Sequence, residues 1–259
     1  MDFGLKDRIA LVTGASSGLG HACARTLVDE GARVCITGSD VDRIAAAATQ
    51  LGPGVDGSVL DLTEPRHPEA AVAHVTATCG APPTILVMST GGPPAGTFDS
   101  TDDAQWERAT DLILRGAVRT IRACLPGMRA AGHGRVVLIT SIAAQEPIEG
   151  LLTSSTLRAG LHGFVNALAR EIGALGITAN AVMPGYTRTN RLIELADRWA
   201  EQRGTTREGV LESLAAGTPI GRIAEPAELA AAVAFLCSEQ AAAINGVALP
   251  VDGGELRSI

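Results

Sequence analysis

The chain has 259 residues but only one tyrosine, Tyr186, and one lysine, Lys6. Any chemistry that needs a phenol beside an ammonium must find the pair there or do without it. No Lys/Arg cluster occurs and the formal net charge is -7. Together these exclude a sequence-independent grip on nucleic acid, which needs a basic face. Nowhere do about 18 apolar residues run together, the length a membrane span requires. The opening Met-Asp-Phe-Gly-Leu-Lys-Asp-Arg has no apolar core flanked by a cleavage site, so the expected setting is cytoplasmic, with no membrane partner. Cysteine is sparse too: Cys23, Cys35, Cys79, Cys124 and Cys237 are odd in number, widely spaced and mostly inside apolar runs. That pattern predicts buried thiols rather than a disulfide framework or a metal site.

What is present is an alternation. Short apolar runs at 8–12, 33–37, 55–60, 85–88, 135–140, 177–182 and 247–250 read as strands, several too uniformly apolar to have a wet face. Between them, residues 18–30, 40–51, 67–79, 102–131, 151–174 and 226–238 have helical period. This rhythm predicts an α/β fold: a single Rossmann-type domain over 1–259, with a doubly wound, parallel, seven-stranded sheet, helices on both faces and ligands at the carboxyl ends of the strands. No repeat, low-complexity tail or Pro/Ser/Gly-rich linker divides it. Residues 188–218 break the rhythm with many charges around a sparse apolar stripe. An amphipathic insertion just after a strand end fits a substrate lid or a plain surface helix pair.

After the first strand comes Thr13-Gly14-Ala15-Ser16-Ser17-Gly18-Leu19-Gly20, running straight into a helix. Glycines at 14, 18 and 20 let the backbone turn tightly and approach a pyrophosphate. The free N–H groups of the helix start supply donors and the positive end of a dipole. This Thr-Gly-x-x-x-Gly-x-Gly run resembles that of the short-chain dehydrogenase/reductase family. So do Asp61-Leu62 after the third strand, Pro184-Gly185 after the sixth, and Gly246 followed by Val251-Asp252-Gly253-Gly254. The resemblance spans essentially the whole chain and implies a nicotinamide cofactor, a small-molecule substrate and a homotetramer or homodimer built on the two long central helices.

Carried over by position, the resemblance gives Gly14, Ser16, Ser17, Gly18, Leu19 and Gly20 to the pyrophosphate and adjacent ribose. It gives Asp61 and Leu62 to the adenine, and Gly91 and Pro184, Gly185, Thr187 and Thr189 to the nicotinamide side. Cofactor choice turns on Thr37-Gly38-Ser39-Asp40. NAD-preferring members generally have an acid at the position of Gly38, where it accepts from the ribose 2′-hydroxyl and repels a 2′-phosphate. Gly38 does neither, Ser39 can donate to a phosphate, and Arg43 is close in sequence. NADP(H) is therefore favoured over NAD(H).

In this family a Ser, a Tyr, a Lys four residues later and an Asn on the preceding long helix handle the proton. The Ser has its match in Ser141, which ends the run Val136 to Thr140. The Tyr position is Ser154, the Lys position is Arg158 and the Asn position is Ile113. The usual Asn-Asn-Ala-Gly is Met88-Ser89-Thr90-Gly91, followed by Gly92-Pro93-Pro94-Ala95-Gly96. These departures resemble an atypical branch akin to β-ketoacyl reductases, in which Thr-Gly-Gly-Pro-Pro, Ser-x-x-x-Arg and Pro-Gly-Tyr occur together. A serine hydroxyl cannot be tuned to the working range of a phenol paired with an ammonium, so Ser154 orients or relays. Arg158 stays charged, and its planar fork suits ribose hydroxyls or an anion.

Tyr186 is then the leading side-chain candidate for the proton donor, or else a wall residue that only packs on substrate; the remaining source, the substrate or a bound water, fits the residues best. His162 reads as a helix-interface histidine, His21 as a phosphate or water contact, and His67, His74 and His133 as solvated. The expected function is an NAD(P)H-dependent ketoreductase of a small or medium-sized carbonyl compound, with substrate- or water-assisted proton delivery. Two other readings are open: a catalytically silent dinucleotide-binding or regulatory protein, and non-redox dehydration, isomerisation or cyclisation in the same pocket.

Overall fold

The computed structural model describes residues 2–258. Seven strands, β1 (Ile9–Val12), β2 (Arg33–Gly38), β3 (Asp56–Val59), β4 (Ile85–Ser89), β5 (Gly134–Ile139), β6 (Ile177–Pro184) and β7 (Ala248–Val251), form one sheet. Its order is β3-β2-β1-β4-β5-β6-β7, and every pair is parallel. The strand order reverses between β1 and β4, and ligands of such sheets bind at the carboxyl ends beside that switch.

The uniformly apolar runs have a simple cause. Alternate residues of each strand feed two separate cores, so neither face is wet. Leu11, Leu86, Met88, Val136 and Leu138 enter one core. Val12, Ile85, Val87, Val137 and Ile139 enter the other. Helices α3 (His67–Cys79), α5 (Gly116–Ala131) and α6 (Leu152–Ile172) cover the first face; α1 (Gly18–Asp29), α2 (Val41–Leu51) and α9 (Pro226–Cys237) cover the second. Cys23, Cys35, Cys124 and Cys237 are buried thiols and Cys79 is half-buried.

One expectation is corrected. The helix read over 102–131 is interrupted: α4 (Asp103–Thr110) passes into a π-turn at Asp111–Arg115 before α5. Gly116 lies tight beneath Leu62, where a Cβ would come within 2.9 Å of the Leu62 Cβ, and its N–H reaches back to the Asp111 carbonyl. An i→i+5 bond of this kind opens the helix by one residue. Periodicity alone carries no trace of it. Ile113 sits in this turn, fully buried in the first core.

Residues 188–218 hold two helices, α7 (Asn190–Arg203) and α8 (Arg207–Gly217). Arg207 grips Asp197 with two nitrogens, at 2.6 and 3.0 Å, tying one helix to the other. Leu195, Ala196, Trp199, Ala200 and Val210 form a third apolar cluster, packed on Ala95, Ile148, Leu151 and Tyr186.

Ile113→Asn puts a carboxamide into the first apolar core. A buried amide without partners costs about 1–3 kcal/mol, and lost apolar burial adds to that. Urea unfolding of the variant is expected to show stability lowered by about 3 kcal/mol; a change below about 1 kcal/mol means the π-turn already accommodates a polar side chain.

Candidate active site

The carboxyl ends of β1, β4, β5 and β6 open into a cleft of about 540 Å³. One wall is the glycine-rich turn. Gly14 has φ +57°, and a Cβ there would lie 2.4 Å from the Ser89 carbonyl oxygen; a Cβ on Gly20 would lie 2.4 Å from the Gly14 carbonyl oxygen. Both positions exclude any side chain, which brings the β1 turn flush against β4 and the start of α1. Ser17, the N-cap of α1, makes no side-chain capping bond. Gly14, Ser17, Gly18 and Leu19 line the cleft.

At the mouth, Arg43 also lines the cleft, with one guanidinium nitrogen 3.4 Å from the Ser17 hydroxyl. Asp40 caps α2 by accepting from the Arg43 N–H at 2.8 Å, which fixes the first turn that carries Arg43. Gly38 packs beneath Ile44, whose Cγ1 would lie 3.0 Å from an added Cβ. Ser39 is exposed. Ser16, Gly20, Gly38, Ser39, Asp61 and Leu62 stand outside the lining. Asp61 accepts from the Thr63 N–H and hydroxyl at 2.9 and 2.8 Å. Leu62 is buried in the core, so only its backbone remains for a ligand.

The opposite side comes from β6 and its loop: Pro184, Gly185, Tyr186, Thr187 and Thr189. Thr189 caps α7, its hydroxyl accepting from the Leu192 N–H at 3.4 Å. Gly185 is held against Asp252, whose Cα an added Cβ would meet at 2.8 Å. Gly91, at φ +72°, lines the cleft with nothing within 4 Å of an added Cβ.

Ser141, Ser154 and Arg158 meet in the floor. The Ser141 oxygen accepts from the Ala143 N–H at 3.1 Å, leaving its own O–H free to donate into the cleft. Arg158 donates from Nε to the Ser154 hydroxyl at 3.1 Å, from Nη1 to the Ile139 carbonyl at 3.0 Å, and from Nη2 to the Gly91 carbonyl at 2.5 Å and the Thr90 hydroxyl at 3.5 Å. The expectation that Arg158 holds ribose hydroxyls or an anion therefore needs correction: most of its fork is committed to the protein itself. Burial, and then the charge of Arg191, pull its pKa down to about 10, so it remains a cation at neutral pH.

Tyr186 lines the cleft and meets Trp199 edge-on at 6.2 Å. Burial, and then the charge of Glu255, push its phenol up to about 12. Glu255, in the turn after Asp252-Gly253-Gly254, is raised in turn to about 7 by burial and then by Asp252. Neither Glu255 nor Arg191 was expected at the site. The Gly-Gly run announces a turn but not what the residue after it faces, and Arg191 is one arginine among several in the insertion.

The histidines divide. His162 Nε2 lies 3.0 Å from the Thr140 hydroxyl, which itself donates to the Val182 carbonyl, so His162 is an interface group between α6 and β5. Burial, then Arg158, lower its pKa and keep it neutral. His21 Nδ1 is 3.3 Å from the Ala15 carbonyl. Two are corrected from solvated to bonded: His67 accepts from the Asp61 N–H at 3.1 Å and His74 meets Asp56 at 2.7 Å; the third, His133, is half-buried, 3.7 Å from Glu239. No group of three metal-ligating side chains occurs among the described residues, and no helix is long and apolar enough to cross a membrane.

Residues 14–255 match a family model described as enoyl-(acyl carrier protein) reductase. The chain is 34% identical over 250 residues to the 3-oxoacyl-(acyl-carrier-protein) reductase FabG of Vibrio harveyi, covering 96% of this chain and 98% of that protein. It is 35% identical over 247 residues to FabG of Escherichia coli (strain K12), covering 95% and 96%. Among solved structures, L-sorbose reductase from Gluconobacter frateurii, complexed with NADPH and L-sorbose, superposes with a TM-score of 0.94 at 34% identity, over 100% of both chains. An actinorhodin polyketide ketoreductase variant with NADPH gives 0.93 at 32% identity, over 97% of this chain and 98% of that one. Sequence kinship along nearly the full length and a shared fold agree: the chain belongs to the short-chain dehydrogenase/reductase family.

Proposed function

We propose that this chain is an NADP(H)-dependent ketoreductase of small or medium-sized carbonyl compounds, with proton delivery adapted to the loss of the Tyr-Lys pair. One observation carries the reading: a single cleft joins the glycine-rich turn to the hydroxyls of Ser141 and Ser154 and the phenol of Tyr186.

The residues fit NADP(H). Gly14 and Gly18 bring backbone close at the start of α1, where an anion is favoured. Gly91 faces open space in the cleft floor. Arg43 and Ser17 stand at the mouth with no acid at position 38 to repel a 2′-phosphate. The solved relatives named above hold NADPH. Bound NADPH supplies the hydride that adds to a carbonyl carbon.

The chain's own residues then handle the oxygen. Ser141 and Ser154 donate their free O–H groups to the carbonyl oxygen as it gains charge, and the buried Arg158 cation adds a positive field beneath them. Tyr186 gives the proton. A phenol held near 12 is fully protonated at neutral pH, so it can donate to a forming alkoxide, a much stronger base, and is poorly suited to act as a base in the reverse direction. Helices α7 and α8 close the apolar side as a substrate lid, with Trp199 and Leu195 at the cleft wall. The enzyme works as a homodimer or homotetramer on the long central helices, where Gly160 and Gly163 of α6 face open space.

Arg43→Ala is expected to weaken NADPH binding about ten- to a hundredfold, the worth of a charge-assisted contact to a phosphate, and to leave NADH nearly unchanged. Fluorescence titration of both cofactors measures this, and equal losses for both count against a 2′-phosphate site at Arg43.

NADPH oxidation followed with a neutral 1,3-diketone or a 3-oxoacyl thioester tests the activity itself. Tyr186→Phe is expected to lower kcat by about 10²–10⁴ with NADPH affinity intact. A change under about threefold moves the proton source to water or substrate. Absence of turnover with every carbonyl tried favours a silent dinucleotide-binding protein.

Glu255 sets the pH dependence. As pH rises through about 7 it ionises, its charge holds the Tyr186 proton more tightly, and proton donation weakens. Reductive kcat is expected to fall on the alkaline side of pH 7 in the native enzyme and to flatten there in Glu255→Gln. An unchanged profile in the variant disconnects the two groups.

A further inference from the structure

Three guanidinium groups line this one cleft: Arg43 at its mouth, and Arg158 and Arg191, whose only carboxylate within ion-pair distance among the described residues is Glu194, beside Arg191. Arg158 is 7% exposed. Its partners are two carbonyls and two hydroxyls, and no carboxylate lies within ion-pair distance of it among the described residues. Carbonyl dipoles solvate such a charge without cancelling it, so a net positive potential remains in the cleft floor. Arg191, the second residue of α7, adds to that potential: its charge is one of the causes that lower the pKa of Arg158.

Arg191 is held in place by the protein. Its Nη2 donates to the Pro93 carbonyl at 2.7 Å. Gly92 makes the room, because a Cβ there would fall 3.0–3.2 Å from Nε, Nη2 and Cζ of Arg191. Its only carboxylate neighbour, Glu194, is 63% exposed and stands 3.6 Å from Nη1, a loose pair in solvent. The donor on Nε is left for a ligand, and Nη1 becomes available where a ligand displaces the exposed Glu194. Beside them, Leu192, Leu195, Trp199, Ile148 and Leu151 line the same cleft with apolar surface.

We propose that Arg191, backed by Arg158, anchors an anionic group of the substrate, so that the cleft selects carbonyl compounds with a carboxylate at one end and an apolar body at the other. This rests on the ketoreductase reading above. An anion here offsets the repulsion between two like charges, and a planar fork meets a carboxylate with two parallel bonds. The same carboxylate gives specificity: a neutral analogue leaves both cations unsatisfied.

The test uses the NADP⁺ complex, in which no reduction occurs, titrated calorimetrically with 2-oxooctanoate and with its methyl ester. The native protein is expected to bind the acid about ten- to a hundredfold more tightly than the ester. Arg191→Gln is expected to remove that preference while ester and NADPH affinities stay within about threefold. Three results overturn the anchor: no preference in the native protein, equal weakening of acid and ester in the variant, or a tenfold loss of NADPH affinity with the preference intact. The last would assign the cation to the cofactor's pyrophosphate. NADPH oxidation with the ester, run in parallel, separates the two readings. Turnover of the ester without acid preference removes the anchor and keeps the reductase; acid preference without turnover of either compound keeps the anchor and removes the reductase.

Discussion

The open end of the sheet depends on the Arg158 guanidinium. It reaches the end of β5 through Ile139, the loop after β4 through Thr90 and Gly91, and its own helix through Ser154. Three segments converge on one planar group; a buried carbonyl left without a donor costs about 1–3 kcal/mol, and Arg158 supplies that donor to Ile139. A lysine has three donors on a point charge and no plane, so it could not brace the same set of acceptors in fixed directions. The arginine thus makes a stiff floor where a lysine would leave a movable proton carrier.

That exchange shapes the chemistry above it. Ser141 and Ser154 keep free hydroxyl protons because their oxygens already accept from the Ala143 N–H and from Arg158. They are poised to donate, with nothing beneath them able to give up a proton. Across the cleft, burial and the neighbouring Glu255 keep the Tyr186 phenol protonated. The polar group that the family usually carries on its long helix is replaced by Ile113, sealed in the core. Polarity has been withdrawn from one side of the site and concentrated on the other.

The fold was legible because its signals are local and repeated. Apolar runs such as Val136 to Ile139, glycines at 14, 18 and 20, and helical periods each act within a few residues, and a parallel seven-stranded sheet follows from their alternation, though its strand order does not. The family resemblance, rather than composition or period, singled out Ser141, Ser154, Arg158 and Tyr186, and all four line one cleft. What stayed hidden depends on partners far apart in sequence. Arg158 looks available until Gly91 and Ile139 are seen to occupy it. His74, on α3, looks solvated until Asp56 at the start of β3 is seen to meet it. The π-turn at Asp111–Arg115 comes from Leu62 pressing on Gly116, a contact no periodicity encodes.

The glycine-rich turn and the end of β2 differ in how much change they tolerate. Gly14 and Gly20 are closed positions, since even a methyl group would sit 2.4 Å from a backbone oxygen. Ser39 is exposed, and Arg43 reaches the cleft mouth from the first turn of a helix whose cap does not depend on its side chain. The glycine-rich turn is therefore fixed by its own backbone, whereas the end of β2 and the first turn of α2 can change side chains without disturbing it.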